Sequence, residues 1–153
     1  MRKCVVVCIG SDRISGDALG PIVGTILREK GVNCPVFGVE GQPINGMNVE
    51  AYREFFKRFY ADSLVIAVDA AVGKPHEVGQ ILCRRGGIRA GGALGREGDR
   101  IGDISLLGIV AEKEGEVLPS LLATPFHRVE EMAERIAGRL LRAIGTSREA
   151  CNA

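Results

Sequence analysis

The chain has no tryptophan, few other aromatic residues and almost no net charge. Aromatic residues make up 5% of the 153 positions and hydrophobic residues 46%, so any core must be mainly aliphatic. The 20 Lys and Arg residues against 19 Asp and Glu leave a net charge of +1. Because affinity for nucleic-acid phosphates comes from clustered basic residues, this balance predicts no direct nucleic-acid partner. The length is typical of a single domain.

Several motifs and segment types are also absent. The longest apolar runs, such as Val5–Ile9 and Leu64–Val68, are too short to cross a bilayer, so no membrane association is expected. The 5 cysteines contain no C-x-x-C pair, which predicts reduced thiols in a cytoplasmic protein rather than a disulfide framework or a zinc site. Phosphate-loop, dinucleotide-binding and G-x-S-x-G motifs are missing, so no cofactor and no serine nucleophile is indicated.

The first half of the chain alternates buried strands with amphipathic helices. Continuous apolar runs at residues 4–9, 35–39 and 63–68 are typical of strands buried on both faces. Helical spacing of apolar residues over 19–27 and 52–60 separates them. This order predicts an α/β fold with a mostly parallel central sheet covered by helices on both faces.

The second half is rich in glycine before it ends in a long helix. Strands are predicted at 78–83 and 104–110, with loops and tight turns between them. Thr124 and Pro125 have the residue types that begin a helix, and Gly145 is expected to end it. We therefore predict a single α/β domain over residues 1–145 and a flexible tail over 146–153.

Two aspartates follow predicted parallel strands and are the main candidates for chemistry. Asp17 lies after the first strand at the start of the first helix, and Asp69 follows the third strand directly. Because ligands of open α/β sheets bind beyond the carboxyl ends of the strands, both carboxylates are expected at one rim, facing one cleft. Taken singly, Asp17 can equally be a helix N-cap and Asp69 a strand-end residue bonded to nearby amides.

Other polar residues are weaker candidates. Asp99 and Asp103 lie in the glycine-rich segment, from which they could reach the rim. His127 is in the first turn of the last helix with Glu131 one turn later, a spacing that is also typical of an exposed ion pair. His76 lies in a polar turn and is expected in solvent. Asp103 and His127 are retained as supporting residues.

Two segments resemble the germination protease of spore-forming bacteria. The run from Cys8 to Pro21 resembles its signature, in which a strand and a glycine lead into an Asp-Ala-Leu-Gly-Pro block, and Val65–Ala70 resembles the strand that carries its second aspartate. A closer resemblance is to the small sporulation family of the YyaC type, through Asp12–Gly24, Asp69–Lys74 and Gly102–Val110. Gly16 stands where the protease has proline.

The resemblance implies a three-layer α/β/α fold of the phosphorylase/hydrolase type, shared with hydrogenase maturation proteases. It also implies that Asp17 and Asp69 are a catalytic pair of an aspartic-type peptidase with a protein substrate, for which small acid-soluble spore proteins are the expected class. The implied location is the cytoplasm of the forespore or sporulating cell. A homo-oligomer is compatible with it.

Two other functions are compatible with the same fold. One is a non-catalytic sporulation factor that binds a peptide in the cleft. The other is a metal-sensing maturation protease in which Asp17, Asp69 and His127 surround a divalent ion, although no residue here clearly matches the nickel-binding histidine of the hydrogenase relatives. No resident metal is predicted.

Overall fold

The computed structural model describes residues 3–89 and 100–152, and these residues form one five-stranded sheet with helices on both faces. The strands are β1 (Cys4–Cys8), β2 (Val36–Phe37), β3 (Leu64–Gly73), β4 (Ile81–Arg85) and β5 (Ile104–Glu112). The helices are α1 (Leu19–Glu29), α2 (Val49–Phe59), α3 (Val117–Leu122), α4 (Phe126–Ile144) and α5 (Ser147–Asn152). Short 3-10 turns lie at Gly16–Ala18 and Pro75–Glu77.

The sheet has the strand order β2–β1–β3–β5–β4. β1, β2, β3 and β5 run parallel, and β4 pairs antiparallel with β5 at one edge. The continuous apolar run of β1 is explained by its place between two strands and two helical layers, where Val5, Val6 and Val7 are fully buried. The predicted mostly parallel α/β fold is therefore confirmed.

Alternate residues of β1 point into two separate cores. Val6 and Cys8 pack with α1 and α4 on one face, and Val5 and Val7 pack with Phe56 of α2 on the other. This alternation is the period-two pattern of a strand, applied here to a strand whose faces are both covered. The result is the three-layer arrangement that the resemblance implied.

Two glycines allow α1 and its leading loop to lie close to the sheet. A Cβ at Gly20 would overlap the carbonyl oxygen of Ile9, and a Cβ at Gly10 would overlap the carbonyl oxygen of Asp17. Gly10 also has a φ of 152°, which disfavours other residues. Gly20 therefore lets α1 pack closely against the end of β1.

Three elements differ from the sequence prediction. β3 continues past Asp69 to Gly73, because the long strand β5 supplies a hydrogen-bonding partner there. α3 was not predicted, since a six-residue helix with Pro119 inside it shows no periodic pattern. α5 lies in the segment predicted to be a flexible tail, and Thr146 and Glu149 cap its start through reciprocal backbone hydrogen bonds.

None of the helices within the described ranges has the length and apolar content that a membrane span requires. The five cysteines are free thiols, with Cys8 buried and both Cys83 and Cys151 exposed.

Candidate active site

The topology creates a crevice at the carboxyl ends of β1 and β3. From β1 the chain passes through α1 to β2 on one side, and later returns through α2 to β3 on the other side. The two connecting helices lie on opposite faces, as the two cores show. This reversal of strand order is where open α/β sheets bind their ligands.

Asp69 lies on β3 at the position where β1 has left the sheet. Its neighbour Val68 pairs with Cys8, the last residue of β1, whereas Asp69 itself pairs with Leu107 of β5 on the other side. The Asp69 carboxylate accepts a hydrogen bond of 2.8 Å from the backbone N–H of Ala70. A bond to a nearby amide is thus present, although Asp69 lies within β3 and not at its end, and the bond leaves most of the acceptor capacity of the carboxylate available.

Asp17 reaches the same crevice from the 3-10 turn that precedes α1. Its backbone carbonyl accepts a hydrogen bond of 3.1 Å from the N–H of Ser11, which fixes the loop that follows β1 over the end of the sheet. The N-cap position of α1 is Ala18, and that of the 3-10 turn is Ser15, so Asp17 is not the helix cap that its sequence position also allowed.

Both carboxyl groups have a raised pKa, and the charge of Asp17 acts on Asp69. Burial raises the pKa of Asp17 from 3.8 to about 6, an effect that the backbone N–H of Ser11 partly opposes. Burial also raises the pKa of Asp69 well above 3.8, and the negative charge of Asp17 raises it further, against a smaller opposing effect of the Ala70 N–H. Two carboxyls that interact in this way ionise in sequence, Asp17 first. Ionisation of Asp17 therefore favours the protonated form of Asp69.

An open groove lies beside the loop that follows β1. It has a volume of about 490 Å³ and is lined by Asp12, Arg13, Pro43, Met47 and their neighbours. Asp12 joins the two loops that form it, since its Oδ2 accepts a 3.0 Å hydrogen bond from the N–H of Gly41. Met47 is 98% exposed at its edge.

The other border of the site is formed by α3. Gly16, next to Asp17, packs against the backbone of Leu121, and the Ser15 hydroxyl donates a 2.6 Å hydrogen bond to the carbonyl of Thr124. On the outer side of this segment four large apolar side chains are about half exposed: Val117, Leu118, Leu122 and Phe126. We call these four residues the α3 apolar patch.

The remaining sequence-predicted residues do not join the pair. Asp103 lies at the amino ends of β3 and β5, opposite to the end that carries the pair, and its carboxylate accepts a 2.8 Å hydrogen bond from the N–H of Val65. It is four residues before Leu107, the partner of Asp69, a separation of roughly 13 Å along the strand. Because a carboxylate cannot span that distance, Asp103 does not lie beside the pair.

Of the other candidate residues, His127 and His76 lie among the described residues and Asp99 does not. His127 is exposed in the first turn of α4, near Thr124, and therefore lies on the outer rim of the site rather than between the carboxyls. Asp99 lies outside the described residues. His76 is exposed in the Pro75–Glu77 turn, as expected.

The metal arrangement proposed from the sequence, with His127 as the third ligand, is not formed. Within residues 3–89 and 100–152, no cluster of three or more His, Cys, Asp or Glu side chains is arranged to hold a metal ion. His127 lies instead at the exposed start of α4.

Sequence reasoning missed the α3 apolar patch and Met47. A signal was present for the patch, since Val117, Leu118, Leu121 and Leu122 crowd into six residues, but such a run predicts burial and not exposure. Met47 sits in a loop with no pattern to indicate its exposure.

The fold is similar to that of two hydrogenase maturation proteases of known structure. The HycI [NiFe] hydrogenase maturation protease of Thermococcus kodakarensis KOD1 superposes with a TM-score of 0.59 at 20% identity, over 93% of this chain and 92% of the other. The HybD [NiFe] hydrogenase maturation protease from Thermococcus kodakarensis gives 0.55 at 14% identity, over 94% and 99%. At these identities the likeness concerns the fold alone.

The sequence comparison defines the family. Residues 1–139 match the family described as "Protein of unknown function (DUF1256)", and the chain belongs to that family. It is also 34% identical over 110 residues to "Uncharacterized protein YyaC" of Bacillus subtilis (strain 168), covering 71% of this chain and 54% of that protein. The chain thus spans about half the length of this curated relative. The resemblance to the YyaC family is confirmed.

Proposed function

We propose that the protein is a peptidase that hydrolyses a peptide bond of a protein substrate with Asp17 and Asp69 as its acid–base pair. The observation that carries the proposal is the pair of interacting carboxyls at the strand-order reversal, both with a raised pKa. In a site of this kind the charge of one carboxyl favours the protonated form of the other. One residue type then supplies both a base and an acid.

The geometry supports a mechanism without a covalent intermediate. Ionised Asp17 takes a proton from a water molecule as the water oxygen attacks the scissile carbonyl carbon. Protonated Asp69 donates a hydrogen bond to the carbonyl oxygen, on which negative charge develops. The proton now on Asp17 passes to the amide nitrogen as the C–N bond breaks, which restores the ionisation state of the pair.

The rim of the site supports a peptide rather than a small molecule as substrate. The groove beside Met47 on one border and the α3 apolar patch on the other leave the carboxyls between two accessible surfaces. Apolar side chains at this degree of exposure are typical of surfaces that bind a partner chain. We propose that they receive the residues on either side of the cleaved bond.

The protease names of the structural neighbours support peptide cleavage, and the germination-protease resemblance supports spore proteins as the substrate class. Small acid-soluble spore proteins are therefore the first substrates to test, and the cytoplasm of the forespore is the proposed location. Both proposals rest on resemblance.

The test is incubation of the purified chain with an extract of small acid-soluble spore proteins, followed by mass-spectrometric sequencing of new peptide termini. We expect new termini with the wild-type chain and a loss of at least 100-fold with Asp17→Asn or Asp69→Asn, as removal of a general acid or base costs roughly 10²- to 10⁴-fold. Asp103→Asn is the matched control, because asparagine keeps an acceptor for the Val65 N–H, and it should cleave normally.

Retained binding without cleavage by the wild-type chain would overturn the proposal and favour the non-catalytic peptide-binding factor. To distinguish these outcomes, binding of the same extract proteins is measured for the wild type and for Asp17→Asn. Cleavage that survives in both aspartate variants would also contradict the proposed mechanism.

A further inference from the structure

Two of the cysteines lie side by side on neighbouring segments of the sheet. Val6 of β1 pairs with Val36 of β2 in parallel register. Two residues earlier in each segment are Cys4, the first residue of β1, and Cys34, which precedes β2. The chain still follows β1 there, because the N–H of Val6 donates a 3.0 Å hydrogen bond to the carbonyl of Pro35. The register therefore sets Cys4 opposite Cys34.

The two thiols lie on the same face of the sheet. Alternate residues of a strand share a face, so Cys4 lies on the face of Val6, which packs with α1 and α4. Cys34 packs against the same core. The Cys34 thiol donates a hydrogen bond to the sulfur of Cys4, and both residues are partly exposed. The two thiols are thus in contact at a place that a small molecule can reach.

The separation expected for this pair fits a disulfide bond. Neighbouring strands of a sheet lie about 5 Å apart, and the Cα atoms of bonded cysteines lie roughly 4.4–6.8 Å apart. Cys8, the third cysteine of this face, is four residues from Cys4 along β1, a distance of roughly 13 Å. Because that distance is too long for a disulfide, Cys34 is the partner of Cys4.

Backbone hydrogen bonds hold the Cys34 segment in this position. The N–H of Asn33 donates a 2.9 Å hydrogen bond to the carbonyl of Gly145 at the end of α4. The N–H of Val32 donates one of 3.0 Å to the carbonyl of Leu27 in α1. Thiols that the fold already holds together lose little further freedom when a bond joins them, which favours the intramolecular bond over bonds to separate molecules.

We propose that Cys4 and Cys34 are a redox pair, which a low-molecular-weight disulfide oxidises to an intramolecular disulfide. Both residues are free thiols in the reduced chain. Oxidation joins the start of β1 to the segment before β2 and thereby stabilises the folded chain. The pair lies at the amino end of β1, whereas Asp17 and Asp69 lie beyond its carboxyl end, so the proposal does not depend on the peptidase activity.

The oxidation consists of two exchange steps. Burial, the negative charge of Cys4 and the hydrogen bond to its sulfur raise the pKa of the Cys34 thiol to about 12, against a smaller opposing effect of the Val6 N–H. Cys34 therefore keeps its proton while Cys4, after losing its proton to water, attacks the small disulfide, forms a mixed disulfide and releases one thiolate. This thiolate takes the proton of Cys34, whose sulfur attacks the Sγ of Cys4 and expels the second thiolate, which is protonated by water. Two protein thiols are oxidised, and the small disulfide is reduced to two thiols.

The test uses the full chain with Cys83→Ser and Cys151→Ser, which removes the two exposed thiols. The reduced protein is incubated with oxidised glutathione at mildly alkaline pH, and non-reducing peptide mapping by mass spectrometry locates the disulfides. We expect one disulfide per chain, between Cys4 and Cys34. Because this bond closes a loop of about 30 residues, the thermal unfolding midpoint should rise by about 5–15 °C.

Two further variants of this chain complete the experiment. Cys34→Ser should keep a mixed disulfide with glutathione on Cys4, because the second thiol is missing. The matched control is Cys8→Ala, which should form the bond between Cys4 and Cys34 at an unchanged rate. Circular dichroism establishes that each variant is folded before oxidation.

The bond between Cys4 and Cys34, formed in the folded chain with a higher unfolding midpoint and retained in Cys8→Ala, supports the proposal. The proposal is overturned if no intramolecular bond forms, if the bond joins Cys8 to either residue, or if it forms only in denaturant. A bond between Cys4 and Cys34 that does not raise the unfolding midpoint would also overturn it, because such a bond would not fit the native fold.

Discussion

Replacement of Asp17 by asparagine should stabilise the protein at neutral pH. The native Asp17 carboxyl has a pKa of about 6 against an ordinary value of 3.8, so the folded state binds this proton more tightly than the unfolded state. Stability must then fall as the pH rises from about 3.8 to about 6, and the whole penalty is present above pH 6. Asparagine does not ionise, so the variant does not lose this stability as the pH rises.

The size of the expected stabilisation follows from the pKa shift of Asp17. A change from 3.8 to about 6 corresponds to about 3 kcal/mol at 1.36 kcal/mol per pH unit. Because Asp17 is partly exposed and solvent screens its charge, we expect about 1–2 kcal/mol. Removing the Asp17 charge also lowers the pKa of Asp69, and this further increases the free energy of unfolding of the variant at neutral pH.

The assay is urea unfolding of the wild type and Asp17→Asn at several pH values. We expect the free energy of unfolding of the variant to exceed that of the wild type at pH 7.5, and the difference to shrink toward zero as the pH falls below 3.8. Asp62→Asn, at an exposed site, should change little at either pH. A variant that is less stable than the wild type at pH 7.5, or a difference independent of pH, would refute the reasoning.

Three further predictions concern the pH profile, the helix packing and the thiols. Peptidase activity should rise as the pH increases through about 6, where Asp17 ionises, and fall again at higher pH where Asp69 loses its proton; a steady-state profile of kcat with no acidic limb near 6 would contradict this. In thermal unfolding, Gly20→Ala should destabilise the fold by about 1–3 kcal/mol because the new Cβ overlaps the Ile9 carbonyl. The control Gly138→Ala meets only the end of the Arg142 side chain and should be neutral or stabilising by up to about 1 kcal/mol. Equal effects of the two substitutions would count against the close helix–strand contact. A thiol-reactive chromophore should modify the exposed Cys83 and Cys151 rapidly in the native state and the buried Cys8 only on unfolding, and fast reaction of Cys8 would disprove its burial.

The fold was largely predictable because its central strands are buried on both faces. Runs such as Val5–Ile9 have one physical explanation in a chain of this size, a strand between two helical layers, and their order along the chain fixes the parallel connections. The edge strand β4 was located less accurately, since its start depends on the turn at Pro75–Glu77 and on Gly79, which has a φ of 92°. Local turns of this kind leave little signal in hydrophobic spacing.

The candidate site was predictable only where it depends on strand direction. The place of Asp69 in the site was predictable because β1 ends beside β3 just before this residue. The place of Asp17 was predictable because the loop after β1 returns over the same end of the sheet. Asp103 was misplaced because a glycine-rich segment gives no information on which edge of the sheet it reaches. The α3 apolar patch depends on a contact between distant segments, that of Gly16 with Leu121.

The most direct test of the central claim is carbon-13 NMR titration of the Asp17 and Asp69 carboxyl groups. We predict that both titrate above 3.8, that Asp17 ionises first with a midpoint near 6, and that the Asp69 midpoint falls when Asp17 is replaced by asparagine. Titration of both carboxyls near 3.8, or an Asp69 midpoint that does not move in the Asp17→Asn variant, would show that the two groups do not act as a pair.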